Sequence, residues 1–306
     1  MAEDPAPEVV AAEHPAPEVT VAVSFKDNGD TILDCVRSVF AQTHTDWRLL
    51  LVDDGSTDGG GDLVEAIDDP RVTVVRHATN LGTPVRLNEI TDLVDTPYLA
   101  RMDGDDLMHP ERLERSLAVL RADPGVDVVG GHAVSIDARS RPTGMRPSLD
   151  TADPSAHLRY APLVHATVTA RTGWFAEHRY DPRYRRCQDQ ELWVRTLGRR
   201  RTVVLDAVLL YLREAGTVPA EKYARSMAGT RAVVRQHGPG LVGRLTSARM
   251  VATTHAKALV YRVAERVGAV DRVVARRAGD LPAAEAAAHA QVVERLRSVA
   301  LPGIDG

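Results

Sequence analysis

The sequence is poor in cysteine and has no long apolar run. Of its 306 residues only Cys35 and Cys187 are cysteines, and neither stands at metal-ligand spacing, so we expect two unpaired thiols in a reducing compartment. No apolar run approaches the length that spans a bilayer, and the N-terminus lacks the basic start and apolar core of a signal peptide. These absences predict a cytoplasmic protein without a membrane-spanning helix.

Lysine is also scarce, because only Lys26, Lys222 and Lys257 occur and arginine supplies nearly all of the positive charge. The formal net charge of -4 argues against a general nucleic-acid binder. From Lys222 onward basic residues outnumber acidic ones, and two interpretations of this tail stay open. Its helices pack or form a homodimer, or a basic face makes peripheral contact with anionic lipid at the inner face of a membrane. Since no aromatic stripe accompanies the charges, the sequence favours packing.

Three regions follow from the pattern of prolines and apolar residues. Residues 1–18 form a short imperfect repeat, rich in proline and charge, that predicts a disordered tail. Over residues 19–215 short apolar strands alternate with amphipathic helices, which predicts an α/β fold with a mostly parallel sheet covered by helices on both faces. Residues 216–306 are rich in Ala, Arg and Val and predict a C-terminal helical region.

Two acidic clusters stand where predicted strands end. Asp53 and Asp54 follow the run 49–52, and Asp103 and Asp105 follow the run 98–102. The carboxyl ends of strands in an open α/β sheet share one crevice, and adjacent carboxylates repel each other unless a cation or donor groups lie between them. The D-x-D triplet offers the oxygen ligands that Mn²⁺ or Mg²⁺ combines with substrate phosphates, and Gly104 leaves room for a diphosphate. The sequence therefore predicts a metal-bound phosphate ester in this crevice.

Three segments stand in a recognisable order and spacing: Val52–Asp58, Asp103–Leu113 and Gln188–Trp193. Together they resemble the GT-A-fold family 2 inverting glycosyltransferases, and the likeness runs from about Val19 to Arg213. The resemblance implies a Rossmann-like GT-A fold and a metal-dependent enzyme of the hexosyltransferase type. It also implies transfer of a sugar from a nucleotide-sugar donor, most commonly a UDP-sugar, to an acceptor hydroxyl. Glycan, lipid-linked and small-molecule acceptors all stay open, as do the donor sugar and the linkage position.

The resemblance also implies roles for residues on the nucleotide side. Asp54 matches the aspartate that hydrogen-bonds the base, with Asp53 beside it. Asp105 matches the metal ligand, and Asp103 is expected near both the ribose and the metal. Asn80 and Asn88 match an N-x-G…N segment that lines the nucleotide.

On the reacting side, Asp189 matches the catalytic base, which would deprotonate the acceptor hydroxyl. His165 and Arg171 match a strand that borders the acceptor cleft, and Gln188 and Trp193 flank the base in sequence. For Trp193 the alternative of a packed core position is favoured, because a helical apolar stripe usually packs inside the protein.

The sequence departs from the family pattern at two places. Ser24-Phe25-Lys26-Asp27 stands where the family has P-x-Y-N, so we expect Ser24 and Lys26 at the nucleotide, with Lys26 on a phosphate. Gln188 replaces the usual acidic residue before the base. Because a like charge raises a carboxylate's pKa, this replacement is expected to leave Asp189 more readily ionised.

Two other functions compete with glycosyl transfer. A nucleotidyltransferase would share the sheet and the acidic metal site, but it needs a glycine-rich phosphate loop, and the segment 24–29 offers only Gly29. A non-catalytic nucleotide-binding module would keep the same fold. The joint presence of Asp54, Asp103, Asp105 and Asp189 favours an active enzyme.

Overall fold

The computed structural model describes residues 17–214, 218–270 and 279–305. The predicted tail at 1–18 thus lies almost wholly outside the described residues. The described strands are β1 (Val19–Phe25), β2 (Trp47–Asp53), β3 (Val72–Arg76), β4 (Tyr98–Asp103), β5 (Leu107–Met108), β6 (Val128–Ile136), β7 (Pro142–Arg146), β8 (Thr169–Arg171) and β9 (Thr202–Arg213).

The described helices cover both faces and one end of the sheet. They are α1 (Ile32–Phe40), α2 (Gly60–Glu65), α3 (Thr83–Leu93), α4 (Arg112–Ala122), α5 (Pro154–Arg159), α6 (Thr172–Glu177), α7 (Gln188–Arg195), α8 (Ala220–Leu241), α9 (Arg244–Arg266) and α10 (Ala283–Arg297).

One nine-stranded sheet organises the molecule, in the order β3-β2-β1-β4-β8-β6-β9-β5, with β7 paired to β6. Strands β3, β2, β1 and β4 are mutually parallel, as are β6 and β9, whereas β8 runs antiparallel to β4 and β6. The predicted α/β fold with a mostly parallel sheet is confirmed. Parallel order brings the carboxyl ends of β1, β2 and β4 to the same edge.

Apolar residues bury both faces of the sheet, which is why β1 reads as a nearly continuous apolar run. On one face Ile32 and Val36 of α1 pack with Leu113 and Leu117 of α4. On the other face α3, α6 and α7 supply a second core cluster that includes Trp193. The two core clusters pack on opposite faces of β1, β2 and β4 and so fix the positions of the carboxyl ends of these strands.

The C-terminal helices pack on two parts of this domain. Helices α8 and α9 pack against each other, and α8 also packs on α5 and α7, while α10 lies against α1 and β7. At Gly229 of α8 an added Cβ would lie 2.9 Å from the Arg186 carbonyl oxygen and from the Cys187 sulfur, so glycine permits this close approach. Among the helices that the structure describes, none is long and apolar enough to cross a membrane.

Candidate active site

The edge formed by β1, β2 and β4 opens into a cavity of about 610 Å³, which we call the strand-end cavity. Its other side is formed by the segment 185–189 and by the first two turns of α8. The charged lining residues are Lys26, Asp54, Asp103, Asp105, Arg185, Arg186, Asp189 and Lys222, and the uncharged ones include Ser24, Gln188 and Ser226. The structure thus brings Asp54, Asp105 and Asp189, far apart in sequence, to one cavity.

A second cavity of about 730 Å³ adjoins the first, and we call it the arginine cavity. The two share five lining residues: Lys26, Asp54, Thr83, Arg185 and Arg186. Asn80 and Gly82 line the arginine cavity on the sheet side, and Arg183 and Arg225 add further positive charge. Asp54 is its only acidic lining residue among those described, so this space favours an anionic ligand.

The carboxylate of Asp54 is buried and already has three protein donors. Oδ1 accepts hydrogen bonds from the Leu81 N–H at 2.9 Å and from Arg86 Nε at 2.8 Å, and Oδ2 accepts one from the Gly82 N–H at 2.8 Å. A carboxylate offers about four lone-pair positions, so one on Oδ2 stays available to a ligand donor. The same bonds fix the loop that carries Asn80 beside the arginine cavity.

Asp53 occupies a different position from the one its sequence suggested. Its Oδ1 accepts hydrogen bonds from the Ser56 N–H at 2.8 Å and the Ser56 hydroxyl at 2.5 Å, and Arg76 Nε lies 3.7 Å from its Oδ2. The side chain is buried and lines neither cavity. Because its oxygens are used to stabilise the turn after β2, the structure places Asp53 away from the expected nucleotide.

Lys26, at the end of β1, lines both cavities. Its ammonium donates hydrogen bonds to Asp27 Oδ2 at 2.8 Å and to the Gly55 carbonyl at 2.9 Å. These contacts place one positive charge where the two cavities meet, which fits the expected phosphate contact.

The D-x-D triplet presents two carboxylates with different surroundings. Arg101 donates two hydrogen bonds to Asp103, one of them at 2.7 Å, and so partly neutralises that carboxylate. No other described residue hydrogen-bonds the Asp105 side chain, whose pKa is raised by burial and by the neighbouring charge of Asp103. A divalent cation would relieve both effects, so Asp105 fits the predicted metal ligand better than Asp103 does.

Packing explains the glycine at position 104, in addition to the predicted room for a diphosphate. An added Cβ would lie 2.6 Å from the Cβ of Phe25, which is closer than real Cβ contacts allow. Glycine at this position therefore lets β4 end directly against the end of β1, and the triplet is held close to Lys26 as a consequence.

Asp189 is the second residue of α7 and faces the strand-end cavity. The residue before the helix, Cys187, has a left-handed backbone at φ 62°, which is strained for a side chain other than glycine. Burial raises the pKa of Asp189, while the Gln190 N–H and the charge of Arg101 act in the opposite direction. Because burial dominates, the pKa of Asp189 lies above its ordinary value. The expected effect of Gln188, relative to an acidic residue at that position, stays a prediction.

Besides Asp53, four residues that were considered at the ligand lie elsewhere. His165 is buried and its Nε2 is 2.8 Å from the Tyr180 hydroxyl, and Asn88 exchanges hydrogen bonds with the Tyr180 backbone at 2.8 and 2.9 Å. Trp193 is fully buried and stacks on Trp174 at 5.9 Å, which agrees with the favoured core interpretation. These three side chains support the core beneath the cavities and do not line them.

Arg171, the fourth, lies at the opposite end of the sheet from the cavity. It pairs with Tyr98 at the start of β4, because β8 runs antiparallel to that strand. Its guanidinium donates to the carbonyls of Leu120 and Val126 at 2.7 and 2.9 Å. The structure therefore does not bring Arg171 together with the residues that line the strand-end cavity.

Sequence reasoning missed the cations that face the acidic strand ends. Arg185 and Arg186 stand four and three residues before Asp189, and Lys222 lies on the first turn of α8, one turn before Ser226. The excess of basic residues from Lys222 onward was a signal for Lys222 alone, and it did not show which way that side chain points. The placement of these cations depends on how closely α8 packs on the segment before α7, which only the three-dimensional structure shows.

Comparison with known sequences identifies the family. Residues 20–182 match the family described as glycosyl transferase family 2. The chain is 30% identical over 184 residues to the putative glycosyltransferase EpsE of Bacillus subtilis, covering 58% of this chain and 66% of that protein. It is 37% identical over 90 residues to the putative teichuronic acid biosynthesis glycosyltransferase TuaG of the same organism, covering 29% of this chain and 36% of that protein. The matches thus span at most about two thirds of these relatives.

Solved structures show the same fold. The 1–349 portion of S. aureus TarS in complex with UDP-GlcNAc superposes with a TM-score of 0.56 at 18% identity, covering 92% of this chain and 91% of that one. The mannosyltransferase PcManGT from Pyrobaculum calidifontis, in complex with GDP-Man and Mn²⁺, gives a TM-score of 0.56 at 18% identity, with 92% and 81% coverage. With the fold and the matched family together, this chain belongs to glycosyl transferase family 2 and has a GT-A fold.

Proposed function

We propose that the protein transfers a sugar from a nucleoside diphosphate donor, a UDP-sugar, to an acceptor hydroxyl in the biosynthesis of a cell-surface glycan, glycolipid or natural product. The reaction would invert the anomeric configuration and use Mn²⁺ or Mg²⁺. One observation carries this proposal: Asp105 and Asp189 line one cavity from different walls, with four cationic side chains between them and around them.

The donor would occupy both cavities. The nucleoside fits the arginine cavity, where Asp54 Oδ2 keeps one acceptor position and Asn80 lines the wall. Its diphosphate would then lie where the cavities meet, near Lys26, Arg185 and Arg186. Hydrogen bonds that involve charged groups are each worth about 1.5–3 kcal/mol, so these cations supply much of the donor affinity.

Asp189 would act as the general base. As the acceptor oxygen forms its bond to the anomeric carbon, the bond from that carbon to the diphosphate oxygen breaks, and the acceptor proton moves to the Asp189 carboxylate. Burial raises the pKa of this carboxyl, which brings it nearer to the working pH and makes it a stronger base. General-base catalysis of this kind contributes about 10²–10⁴ in rate.

Asp105 would hold the divalent cation, with Asp103 beside it. A bound cation supplies Lewis acidity to the diphosphate that leaves. The side chain of Asp105 fits this role because no other described residue hydrogen-bonds it and because burial and Asp103 raise its pKa. One or two carboxylates plus substrate phosphates are a usual ligand set for Mg²⁺.

A panel of nucleotide sugars, tested by thermal shift with Mn²⁺ and then with a chelator, tests this proposal. We expect one donor to raise the melting temperature and to be hydrolysed or transferred, in both cases dependent on the cation. Asp105→Asn should lose the cation dependence of binding, whereas Asp206→Asn, a fully exposed aspartate outside both cavities, should behave like the wild type. If no nucleotide sugar binds with or without a cation, the proposal is wrong.

A further inference from the structure

A third cavity, of about 280 Å³, lies between α5, α8 and α9, and we call it the amphipathic pocket. Its apolar wall is made by Leu158, Met227, Val234 and Met250, and four threonines add hydroxyl groups. Three cations also line it: Arg159, Arg249 and Lys257. Among the described residues, no acidic side chain lines this pocket, so its apolar interior is accompanied by positive charge only.

The three cations have no carboxylate partner within the described part of the chain. Some other arginines of the C-terminal helices are paired; Arg297 of α10, for example, donates to Asp34 at 2.6 Å. Like charges around an apolar space repel each other, and an anion bound among them would replace this repulsion by attraction. The pocket therefore suits a ligand that has an anionic group and an apolar part.

An apolar stripe, which we call the valine stripe, follows the pocket residue Lys257 toward the C-terminal end of α9: Val260 and Val263 of the helix and Val267 directly after it. These residues are 57%, 50% and 69% exposed, and their spacing of three and four residues places them on one side of the helix. The adjacent Leu259 is 61% exposed. The helices of this region do pack on one another and on the domain, as the sequence favoured, but these side chains stay at least half exposed.

Charge along α9 is strongly one-sided. Its only acidic residue, Glu265, accepts a hydrogen bond from the Ala220 N–H at 2.6 Å. Its basic residues are Arg244, Arg249, Lys257, Arg262 and Arg266. An isologous contact with a second copy would bring two such basic helices together, which like-charge repulsion opposes. An anionic membrane surface matches both the charge and the apolar stripe.

Helix α8 separates this pocket from the strand-end cavity. Lys222 and Ser226 face the strand-end cavity, and Met227 and Thr230 face the pocket. The Thr230 hydroxyl donates to Gln190 Oε1 at 3.2 Å, and Gln190 follows Asp189 directly. If a lipid binds at the pocket, only helix α8 therefore separates the strand-end cavity from the bound lipid.

We propose that the amphipathic pocket and the valine stripe bind anionic phospholipid, the pocket holding the headgroup phosphate and the stripe entering the interface. The surface is then a peripheral membrane-docking face. Lipid binding does not depend on the proposed transfer reaction, so each can be tested without the other.

Co-sedimentation of the full chain with vesicles tests the proposal. One vesicle preparation is phosphatidylcholine alone, and the other contains about one third phosphatidylglycerol. We expect binding to the anionic vesicles only. A basic residue near an anionic surface contributes ~1 kcal/mol, so Arg249→Ala combined with Lys257→Ala should weaken partitioning about 25-fold.

Two further variants keep the test specific. Arg139→Ala combined with Arg199→Ala removes the same charge from exposed positions outside the three cavities and should leave vesicle binding within about twofold of the wild type, as expected where no specific contact is lost. Val263→Asp should reduce vesicle binding without changing the melting temperature, because Val263 is exposed.

Four results would overturn the proposal. The first is equal binding to neutral and anionic vesicles. The second is vesicle binding by the Arg249/Lys257 variant that equals that of the wild type. The third is binding of inorganic phosphate at the pocket without any vesicle binding. The fourth is a dimer in solution that Val263→Asp converts to a monomer, which would make this face an interface between copies.

Discussion

The two walls of the strand-end cavity are built in different ways. The strand wall consists of the ends of β1, β2 and β4, and its charges are mostly held by protein partners: Asp54 by three donors, and Asp103 by Arg101. The helix wall consists of the segment 185–189 and the start of α8, and Arg185, Arg186 and Lys222 there have no carboxylate partner among the described residues. Asp105 is the exception on the strand wall.

This difference indicates a division of roles. Groups whose partners are already in place are oriented before any ligand arrives, so they contribute geometry at little cost in entropy. Unpaired cations gain most when an anionic ligand binds. We therefore expect substitutions on the strand wall to change stability and substitutions on the helix wall to change affinity and rate.

The largest effect is expected at Asp189. Asp189→Asn removes the base and should lower kcat by about 10²–10⁴, because that is the usual contribution of general-base catalysis. Donor affinity should stay within about threefold, since the proposed role places this side chain at the acceptor hydroxyl and an amide keeps its size. Initial rates and donor titration calorimetry measure the two quantities. Normal turnover by this variant would remove Asp189 from the mechanism.

Arg86 tests the strand wall. Its Nε donates to buried Asp54 at 2.8 Å, so Arg86→Met would leave the carboxylate with two backbone donors and no positive partner. Breaking a buried ion pair on one side costs about 3–5 kcal/mol of unfolding free energy. Urea denaturation measures this loss. The exposed ion pair of Arg179 and Asp92 provides the control, where Arg179→Met should cost less than about 1 kcal/mol.

Arg186 tests the helix wall. Arg186→Gln should raise the KM for the donor about 10- to 100-fold, the loss of one charge-assisted hydrogen bond, and should leave the unfolding free energy nearly unchanged. Steady-state kinetics with the identified donor and urea denaturation measure both. Arg199→Gln removes an exposed arginine outside both cavities and should leave KM unchanged. If Arg186→Gln lowers the unfolding free energy and leaves KM unchanged, the proposed division of roles between the two walls is wrong.

The smallest effect concerns pH. Asp189 must be ionised to accept a proton, so kcat/KM falls as pH drops through its raised pKa. Gln188→Glu adds a like charge beside it, which should raise that pKa further and move the acidic limb of the pH profile to higher pH. Activity on the alkaline plateau should hardly change. An acidic limb that moves to lower pH would show that the introduced carboxylate does not act on Asp189 through its charge.

The parallel half of the fold could be predicted because its strands are short apolar runs, and acidic residues directly follow or end two of them, β2 and β4. That pattern also placed Asp54, Asp103 and Asp105 at one edge, and the spacing of the family motifs added Asp189. Arg171 shows what local sequence cannot predict. The direction of β8 cannot be inferred from its own residues, and because β8 runs antiparallel to β4, Arg171 lies at the end of the sheet opposite the cavity. The cations of the helix wall depend on the packing of α8 at Gly229, which is a long-range contact.

Product stereochemistry tests the shared cavity most directly. If Asp189 activates the acceptor from one wall while the diphosphate leaves toward Asp105 and the helix-wall cations, a single displacement must invert the anomeric centre. With the donor found in the nucleotide-sugar panel, proton NMR of the fresh product gives the configuration at that carbon. We predict a product of configuration opposite to the donor's, so that an α-linked donor gives a β-linked product. A product that keeps the donor's configuration would contradict a base and a leaving group placed on different walls of one cavity.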